Sequence, residues 1–575
     1  MIRLFRHLKP YRLLIGLVII LVFLRSLSDL YLPSLMGDIV DKGVVRGDEP
    51  YILKIGGWML LIAGIGAVCS IAASFYSSKV ASSFGKNLRT KVFSHVESFS
   101  LNEFDQIGTA SLITRTTNDI NQVQQVLIMM LRMMVMAPLM CIGGIIMAVS
   151  RDAKLSLVLV VSLPVLFIAI LLVQRKGIPL FKAMQKKLDK LNLVLRENLT
   201  GIRVIRSFNR IDYEKKRFEE ANADLTQTAI KVNKIMATLM PVMMLIMNFS
   251  TIAIIWFGGI RIDHQNMQVG DLMAFIQYAM QIMFSLIMLS MMFIMIPRAS
   301  VSAVRINEVL DIKPNIKDAE NVQKATDKSG YIEFKNVTFS YPGAENPAIS
   351  NISFKANPGK VTAIIGGTGS GKSTLISLIP RFYDVSSGEV LVDGVDVRSM
   401  SQEHLREKIG FVPQKAVLFT GTITDNISYG NEKATVEDVK HAAEIAQATE
   451  FISELKDGYD SVIAQGGTNV SGGQKQRLSI ARALVRKPEI YIFDDSFSAL
   501  DFKTDAKLRA ELKKETGDST VLIVAQRVST VMDADQIIVL DQGKTAGIGT
   551  HKELMETCEV YREIVSSQLS EEEIA

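Results

Sequence analysis

The sequence predicts two domains of different fold class, an all-α membrane domain with six helices and an α/β domain after it. Six long apolar segments precede residue 300, whereas short β-rich runs alternate with amphipathic helices beyond residue 330. A chain of 575 residues, of which 48 % are hydrophobic, is long enough for two large domains and unusually apolar for a soluble protein. We expect the membrane domain over 1–313, a linker over 314–330 and the second domain over 331–570.

The overall composition excludes some functional classes. The net charge of +5 is mild and gives no reason to expect a nucleic-acid partner. Three cysteines are too few and too scattered for a disulfide framework or a metal cluster, so they are expected to behave as small apolar residues. They are Cys69, Cys141 and Cys558.

The six apolar segments have the length of membrane-spanning helices, for which about 20 residues are needed. They cover residues 13–36, 52–76, 126–150, 155–174, 236–258 and 271–297. Basic residues precede the first segment and no small-residue cleavage pattern follows it, so we expect a retained helix with a cytoplasmic N-terminus. An even number of spans returns the chain to the cytoplasm, and the lipid bilayer is the first expected partner.

The two inner connections, 77–125 and 175–235, are long, charged and nearly free of glycine and proline. Each is expected to fold as a helical hairpin that is interrupted near 101–108 and near 208–213, respectively. Arms of about 25 residues reach about 35–40 Å into the cytoplasm. This length suits the transmission of movement from a soluble domain to the membrane.

Three charged residues lie within the spans. Arg25 and Asp29 are four residues apart on one helix face and can form an ion pair, and Arg132 lies in the third span. Charges inside a span face a cavity or a neighbouring helix. Contact with a transported substrate and a purely structural ion pair are both open interpretations.

Methionine is dense in the third, fifth and sixth spans. The residues are Met129, Met130, Met133, Met134, Met136, Met240, Met243, Met244, Met247, Met280, Met283, Met288, Met291, Met292 and Met295. Flexible thioether side chains can repack around differently shaped apolar molecules. As a group they favour a broad range of apolar substrates, although lipid-facing packing is the alternative for each one.

A phosphate-binding loop is the most specific motif in the chain. A predicted strand over 361–365 leads into Gly366-x4-Gly371-Lys372-Ser373, and a helix follows. The glycines let backbone N–H groups surround phosphates, Lys372 reaches the terminal phosphates, and the Ser373 hydroxyl binds Mg²⁺. The expected ATP-binding residues are Gly366, Gly367, Thr368, Gly369, Ser370, Gly371, Lys372, Ser373 and Thr374.

A second apolar strand, over 490–493, ends in Asp494. An acidic residue in this position can hold Mg²⁺ directly or through water. Together with the phosphate loop, it predicts that ATP is bound with Mg²⁺.

Between these motifs, Val470-Ser471-Gly472-Gly473-Gln474 precedes the helical run KQRLSIARALV. This segment resembles the signature motif of ABC ATPases, with Val470 where the family usually has leucine. The resemblance implies that four signature residues contact nucleotide, that Tyr341 stacks on adenine, and that Gln414 senses Mg²⁺ and the attacking water. The four are Ser471, Gly472, Gly473 and Gln474.

The resemblance extends to nearly the whole chain. Ser498-Ala499-Leu500-Asp501 is similar to the family loop that crosses the dimer interface, and PRASVSAVRINEVLD and ENLTGIRVIRSF resemble segments of ABC exporters. It implies a six-helix transmembrane domain of exporter type followed by a P-loop ATPase domain with an antiparallel β subdomain and a helical signature subdomain. It also implies an ATP-hydrolysing translocase. Because Phe104-Asp105 and Asp212-Tyr213-Glu214 lie at the far tips of the two hairpins, we expect them to form short helices that dock on ATP-binding domains.

A second subunit is implied as well, because the family places each ATP between the phosphate loop of one subunit and the signature of the other. Ser471 and the neighbouring N–H groups form an anion-binding helix start that would serve the facing subunit's nucleotide. The expected partner is therefore a second ABC half-transporter.

Two candidate catalytic residues depart from the family pattern. Asp495 stands where the family has glutamate, and Gln526 stands where it has histidine. A shortfall of about 1 Å in a catalytic group can cost on the order of a hundredfold in rate, and glutamine carries neither a proton nor a charge. Gln414, which matches the family pattern, is the third candidate catalytic residue. Together the two departures predict a site that binds ATP and hydrolyses it poorly. This resembles the degenerate-site subunit of bacterial heterodimeric multidrug exporters, with a slow homodimer as the alternative.

The expected function is ATP-driven export of apolar or amphipathic small molecules across the cell membrane, with the ATP-binding domain in the cytoplasm. A lipid or peptide exporter half is the first alternative; a peptide exporter that trims leaders is disfavoured because no peptidase domain precedes the first helix. An ATP-gated channel or regulatory membrane protein is the alternative from another class.

Overall fold

The computed structural model describes residues 1–319, 323 and 329–569. The chain forms two compact units, one made of Met1–Glu97 and Thr109–Ile312, the other of Ser98–Gly108 and the residues from Lys313 onward. Within the predicted linker, 320–322 and 324–328 lie outside the described residues, as does residue 570 at the end of the predicted second domain.

The first 311 residues are almost entirely helical. Their helices are α1 (Ile2–Phe5), α2 (Arg12–Asp38), α3 (Glu49–Glu97), α4 (Leu101–Ile107), α5 (Thr109–Thr114), α6 (Ile120–Arg151), α7 (Leu157–Thr200), α8 (Ile202–Ser207), α9 (Ile211–Asp263) and α10 (Val269–Asp311). Six helices, based on α2, α3, α6, α7, α9 and α10, are long and apolar enough to cross a membrane, which confirms the six-span prediction. The 53 residues of α9 make a helix about 80 Å long, well beyond a bilayer.

The charged residues of the spans have different partners. Arg25 Nε lies 3.6 Å from Asp29 Oδ2, which confirms the predicted pair. Arg132 donates from Nε to Ser77 Oγ at 2.7 Å and from Nη2 to the Ser74 carbonyl at 2.8 Å. Arg132 therefore fastens α6 to α3 through hydroxyl and carbonyl oxygens.

The methionines are divided between the core and the surface of the membrane unit. Met243 and Met283 are almost completely buried, whereas Met240 and Met244 are more than half exposed. Some of these methionines therefore pack inside the unit and others face outward, and the interpretation of the group as an adaptable substrate surface stays a prediction. The side chain of Met291 lies outside the described residues.

The two inner hairpin tips differ from each other. Phe104 and Asp105 lie in the short helix α4, as predicted, and α4 begins with a capping box between Ser100 and Glu103. The expectation of a short helix at 212–214 is wrong, because these residues form the first turn of the long helix α9. Their acidic side chains suit that position, since the helix dipole is positive there. The short helix of this tip is α8, which lies upstream of it.

The second unit is an α/β domain. Its strands are β1 (Ile332–Phe339), β2 (Ile349–Ala356), β3 (Val361–Gly366), β4 (Ser387–Val392), β5 (Val395–Asp396), β6 (Ile409–Val412), β7 (Gly421–Thr422), β8 (Val462–Ile463), β9 (Ile490–Asp494), β10 (Thr520–Val524), β11 (Gln536–Asp541) and β12 (Lys544–Gly549). Its further helices are α11 (Lys372–Ser377), α12 (Gln402–Glu407), α13 (Ile423–Ser428), α14 (Val436–Ile445), α15 (Thr449–Glu454), α16 (Gly472–Leu484), α17 (Phe502–Glu515), α18 (Val528–Val531), α19 (His551–Thr557) and α20 (Glu559–Ser566).

The strands form three sheets, which confirms the predicted fold class. The six-stranded sheet has the order β12-β11-β3-β10-β9-β6, in which only β12 is antiparallel to its neighbour. An antiparallel sheet has the order β2-β1-β4-β5, and β7 pairs with β8. Both faces of the six-stranded sheet are covered: Ala363 and Ile365 of β3 point into one apolar core and Ile364 into the other. Helices α13 and α14 pack on α16 and form the helical subdomain.

Candidate functional site

The carboxyl ends of four neighbouring parallel strands bring most of the predicted site residues together. The phosphate loop follows β3, Gln414 follows β6, Asp494 ends β9, and Gln526 follows β10. Open parallel sheets bind ligands at this edge, because the loops that leave the strands converge there. Residues separated by more than 150 positions in the chain thus line one site.

The phosphate loop has a backbone that only glycine adopts readily. Gly369 and Gly371 have φ angles of 80° and 94°. A Cβ atom at Gly371 would lie 2.6 Å from Ile349 Cγ2, so space also requires glycine. Ser370 Oγ is buried and has no hydrogen-bond partner among the described residues. The loop is therefore a preformed cradle with an unused polar atom.

Lys372 lies over this loop. Its Nζ donates hydrogen bonds to the carbonyls of Gly366 at 2.8 Å and Gly367 at 2.7 Å. Burial lowers the pKa of Lys372, and the negative charges of Asp495 and Asp494 counteract that effect. The ammonium group is thus held by the same loop that would surround phosphates.

Ser373 and Asp494 present oxygen atoms side by side. Ser373 Oγ donates a hydrogen bond to Asp494 Oδ1 over 2.9 Å. Burial raises the pKa of Asp494, a rise that the Ser373 hydrogen bond opposes and the nearby Asp495 charge increases. Hydroxyl and carboxylate oxygens are the ligands that Mg²⁺ prefers, so the residues present fit this ion.

Asp495 is held by two amide side chains in an unusual backbone conformation. Its φ angle is 45°, and it is 9 % exposed. Its Oδ2 atom accepts hydrogen bonds from Gln526 Nε2 at 2.9 Å and from Gln414 Nε2 at 3.3 Å. We call these three residues the amide clamp. The clamp thus engages one of the two carboxylate oxygens of Asp495.

A cavity of about 330 Å³ joins these groups. It is lined by Tyr341, Ala348, Thr368, Gly369, Ser370, Gly371, Lys372, Ser373, Thr374, Gln414, Asp494, Asp495, Val524 and Gln526. Tyr341 lies at its rim, 38 % exposed, with its hydroxyl 3.0 Å from Thr374 Oγ1. The exposed ring can stack on a flat heterocycle. Gly366 and Gly367 do not line the cavity but hold Lys372 through their carbonyls.

The predicted signature residues are not among the described residues that line this cavity. Ser471 caps α16, and a capping box joins it to Gln474: Ser471 N donates to Gln474 Oε1 at 2.8 Å. A Cβ atom at Gly472 would meet nothing within 4 Å, whereas one at Gly473 would lie 3.1 Å from the Ala499 carbonyl. The start of α16 is therefore a capped, open helix end outside the chain's own cavity, of the kind that can bind an anion.

Two residues that the sequence analysis missed connect parts of this unit. Tyr383 packs edge-on to Tyr341 at 5.5 Å, and its hydroxyl donates to Asp105 Oδ2 of α4 at 3.3 Å. Burial and the Asp105 charge raise the pKa of Tyr383 to about 12. The buried Gln476 of α16 donates to the Pro413 carbonyl at 3.4 Å, beside Gln414. Since these partners are distant in sequence, no local motif indicates the contacts.

A phosphate-loop domain that follows six membrane-crossing helices is the arrangement of a transport ATPase. Family comparison gives the particular group: residues 15–286 match the ABC transporter transmembrane region, and 349–498 match the ABC transporter ATP-binding domain. The chain belongs to the ABC transporter family, as an exporter half with one transmembrane and one ATP-binding domain.

Relatives and a solved structure agree with this assignment. An uncharacterized ABC transporter ATP-binding protein of Mycobacterium tuberculosis is 44 % identical over 98 % of this chain and 97 % of the relative. An ATP-dependent lipid A-core flippase of Aliivibrio fischeri is 32 % identical over 96 % of this chain and 95 % of the flippase. The structure of a bacterial Atm1-family ABC exporter with ATP bound has a TM-score of 0.80, 26 % identity, and coverage of 97 % of this chain and 99 % of its own.

Proposed function

We propose that this chain is one half of a heterodimeric ATP-driven exporter of apolar or amphipathic compounds. Its own ATP site binds nucleotide but hydrolyses it slowly, and its signature motif completes the competent site of a different partner chain. The amide clamp around Asp495 is the observation that carries this proposal.

ATP binds in the cavity at the carboxyl edge of the six-stranded sheet. Tyr341 stacks on adenine, the backbone N–H groups of the phosphate loop surround the phosphates, and Lys372 turns to the terminal phosphates. Ser373 and Asp494, with Gln414 nearby, would hold Mg²⁺, which neutralises charge on the phosphate oxygens when bound. The orphaned Ser370 hydroxyl is a further donor for the nucleotide.

Slow hydrolysis follows from the state of Asp495. A carboxylate that activates water must lie within reach of the water and accept its proton, and one of the two carboxylate oxygens of Asp495, Oδ2, is already occupied by two amide donors. Its side chain is also one methylene group shorter than glutamate, and about 1 Å of misplacement costs on the order of a hundredfold. Gln526 can donate a hydrogen bond to a phosphate but can supply neither a proton nor a charge.

The signature helix supports the heterodimer over a slow homodimer. Its start is capped and open at Gly472, so it could serve the nucleotide of a facing subunit. In a homodimer it would complete a second weak site. A partner with glutamate and histidine at the corresponding positions turns the same signature into part of a working site.

The proposal puts the chain in the cell membrane with its N-terminus and ATP-binding domain in the cytoplasm; the six apolar helices and the basic residues before the first of them support it. Lipid export is the second candidate function, because a relative that matches nearly the full length is named a lipid A-core flippase. Fluorescent-lipid flipping and small-molecule uptake by the same vesicles separate the two.

The experiment is affinity purification of this chain from its native membranes, followed by identification of the co-purifying half and ATPase measurement in lipid nanodiscs. The chain alone should bind ATP with little turnover, and the pair should hydrolyse ATP rapidly. As a matched control, the phosphate-loop lysine is changed to alanine in each chain: the change in the partner should abolish turnover, and Lys372→Ala should reduce it modestly. Vigorous, substrate-stimulated hydrolysis by this chain alone would defeat the proposal.

A further inference from the structure

The membrane unit contains a cavity of about 430 Å³ that the ATP-binding machinery does not explain. Four helices, α2, α3, α6 and α10, contribute to it. Its lining residues are Asp29, Leu32, Pro33, Met36, Met59, Met140, Gln277 and Gln281. We refer to it as the Asp29 cavity.

Among the described residues that line this cavity, Asp29 is the one with a charged side chain. Its side chain is 34 % exposed, and its ion pair with Arg25 spans 3.6 Å, which is too long for a good hydrogen bond. An ionisable group in a span is costly and usually serves a substrate or ion path. The carboxylate of Asp29 can therefore still attract a second cation.

Gln281 adds an unused acceptor to the same lining. Its Nε2 donates to the Asp29 carbonyl at 3.0 Å, which fixes the amide, while its Oε1 is buried without a hydrogen-bond partner among the described residues. A buried acceptor without a partner destabilises a protein until a donor arrives. A ligand with an N–H group would satisfy Gln281 Oε1.

The rest of the lining is apolar and adaptable. Met36, Met59 and Met140 come from three different helices, and Leu32 and Pro33 complete the wall. Methionine side chains adjust to differently shaped apolar groups and make favourable contacts with aromatic rings. The cavity therefore combines acceptors for a positive head with space for a variable hydrophobic body.

We propose that the Asp29 cavity binds amphipathic organic cations, with the positive group on Asp29, an N–H donor on Gln281 Oε1 and the apolar body among the methionines. This proposal rests on the proposed export function and names its substrate class. An anionic substrate is disfavoured because both arginines named in the spans already have partners: Arg25 pairs with Asp29, and Arg132 donates to Ser77, Ser78 and the Ser74 carbonyl.

The test is equilibrium binding to the full chain in lipid nanodiscs, with tetraphenylphosphonium and tetraphenylborate as probes of the same shape and opposite charge. The phosphonium should bind saturably and more tightly than the borate. Asp29→Asn should weaken phosphonium binding by about tenfold, the worth of one charge-assisted contact. Asp29→Glu should restore most of the affinity.

Matched controls use the same helices. Asp38→Asn removes a carboxylate from α2 outside the cavity, where it pairs with Lys42, and should change nothing. Gln281→Leu should weaken binding of 1-naphthylmethylammonium, which has N–H donors, and spare tetraphenylphosphonium, which has none. Unchanged ATP binding by each variant shows that it is folded. Equal binding of the two tetraphenyl ions, or phosphonium binding that is indifferent to Asp29→Asn, would overturn the cation site.

Transport separates this inference from the function on which it rests. In vesicles that contain both halves, ATP-driven tetraphenylphosphonium transport should fall with Asp29→Asn and persist with Asp38→Asn. If export proceeds equally well with Asp29→Asn, the cation site is wrong and the exporter stands. If the pair exports nothing with ATP while nanodisc binding still depends on Asp29, the export function is wrong and the cation site stands.

Discussion

A single methylene group separates Asp495 from the glutamate that the family resemblance leads one to expect. The sequence alone predicts the shorter reach, because residue identity determines it. It does not predict the amide clamp, in which Gln414 and Gln526 meet Asp495 Oδ2 from loops 81 and 31 residues away. These contacts depend on side-chain directions that are set by the neighbouring strands β6 and β10.

Mutations in the clamp and in the signature of this chain should lower ATP hydrolysis by very different amounts. Asp495→Asn should slow ATP hydrolysis by the assembled pair only modestly, because this site contributes little. Ser471→Ala should lower it by about a hundred- to a thousandfold, since a donor to the partner's nucleotide is lost. Steady-state ATPase of the two variant pairs is the measurement.

Gly472→Ala is a second signature variant, and it tests whether a loss of hydrolysis arises without misfolding. A Cβ atom there has open space in the single chain, so the variant should fold and bind ATP normally, yet it should obstruct the close approach of the partner's phosphate. If Asp495→Asn proves as damaging as the two signature variants, the roles assigned to the two sites are wrong.

Restoring the expected residues should improve this chain's own site. Asp495→Glu combined with Gln526→His returns the longer carboxylate and a protonatable ring, and it opens the amide clamp. ATP turnover by this chain alone should rise by at least about tenfold, part of the hundredfold that misplacement costs. Each single change should give less than half of the logarithmic gain, because residues that act as a unit are not additive. No gain in the double variant, with ATP affinity intact, would contradict this explanation of the slow site.

At the scale of elements, periodicity and motif spacing predicted the spans and the strands of the site well. The strand predicted over 361–365 is β3, and that over 490–493 is β9 with Asp494 as its last residue. The short helix of the second hairpin tip was predicted a few residues too far along the chain. The polar segment between α7 and α9 has no apolar periodicity that would locate it, because α8 and the start of α9 are both solvent-exposed. Phe208, Ile211 and Tyr213 are each more than half exposed.

We expect Tyr383 to couple the ATP site to helix α4, because it contacts both Tyr341 and Asp105. Tyr383→Phe removes the hydroxyl that donates to Asp105 and keeps the ring that packs on Tyr341. ATP-driven transport by the pair should fall by about fivefold, the worth of one hydrogen bond, with ATP affinity unchanged. The measurement is substrate uptake into vesicles beside nucleotide binding.

Tyr341→Phe is the matched control for this prediction. It likewise removes a tyrosine hydroxyl but one that contacts Thr374 within the ATP cavity, so it should affect nucleotide binding at least as much as transport. Transport that survives Tyr383→Phe undiminished would show that α4 does not act through this contact.

At the scale of the whole molecule, the proposed heterodimer gives this chain one half of each of two different ATP sites. Its cavity holds the phosphate loop of one, and the start of α16 holds the signature of the other. The sequence indicates this division because the signature is nearly intact, with Val470 as its one departure, beside two altered catalytic residues. The identity of the partner cannot follow from it, since the groups that complete each site belong to another chain.

The assembled pair should therefore trap one nucleotide, not two. Orthovanadate holds ADP only where ATP has been hydrolysed, because it occupies the position that the released phosphate leaves. In the proposed heterodimer, hydrolysis takes place on the partner's phosphate loop against Ser471 of this chain, while the site with Asp495 retains exchangeable ATP. We expect one mole of trapped ADP per mole of pair and, with a photoreactive ATP analogue, vanadate-dependent labelling of the partner chain. Ser471→Ala should abolish the trapping and Asp495→Asn should leave it intact. Two moles of ADP per pair, or equal labelling of both chains, would mean that both sites hydrolyse ATP and that the asymmetry inferred from Asp495 and Gln526 does not govern the transporter.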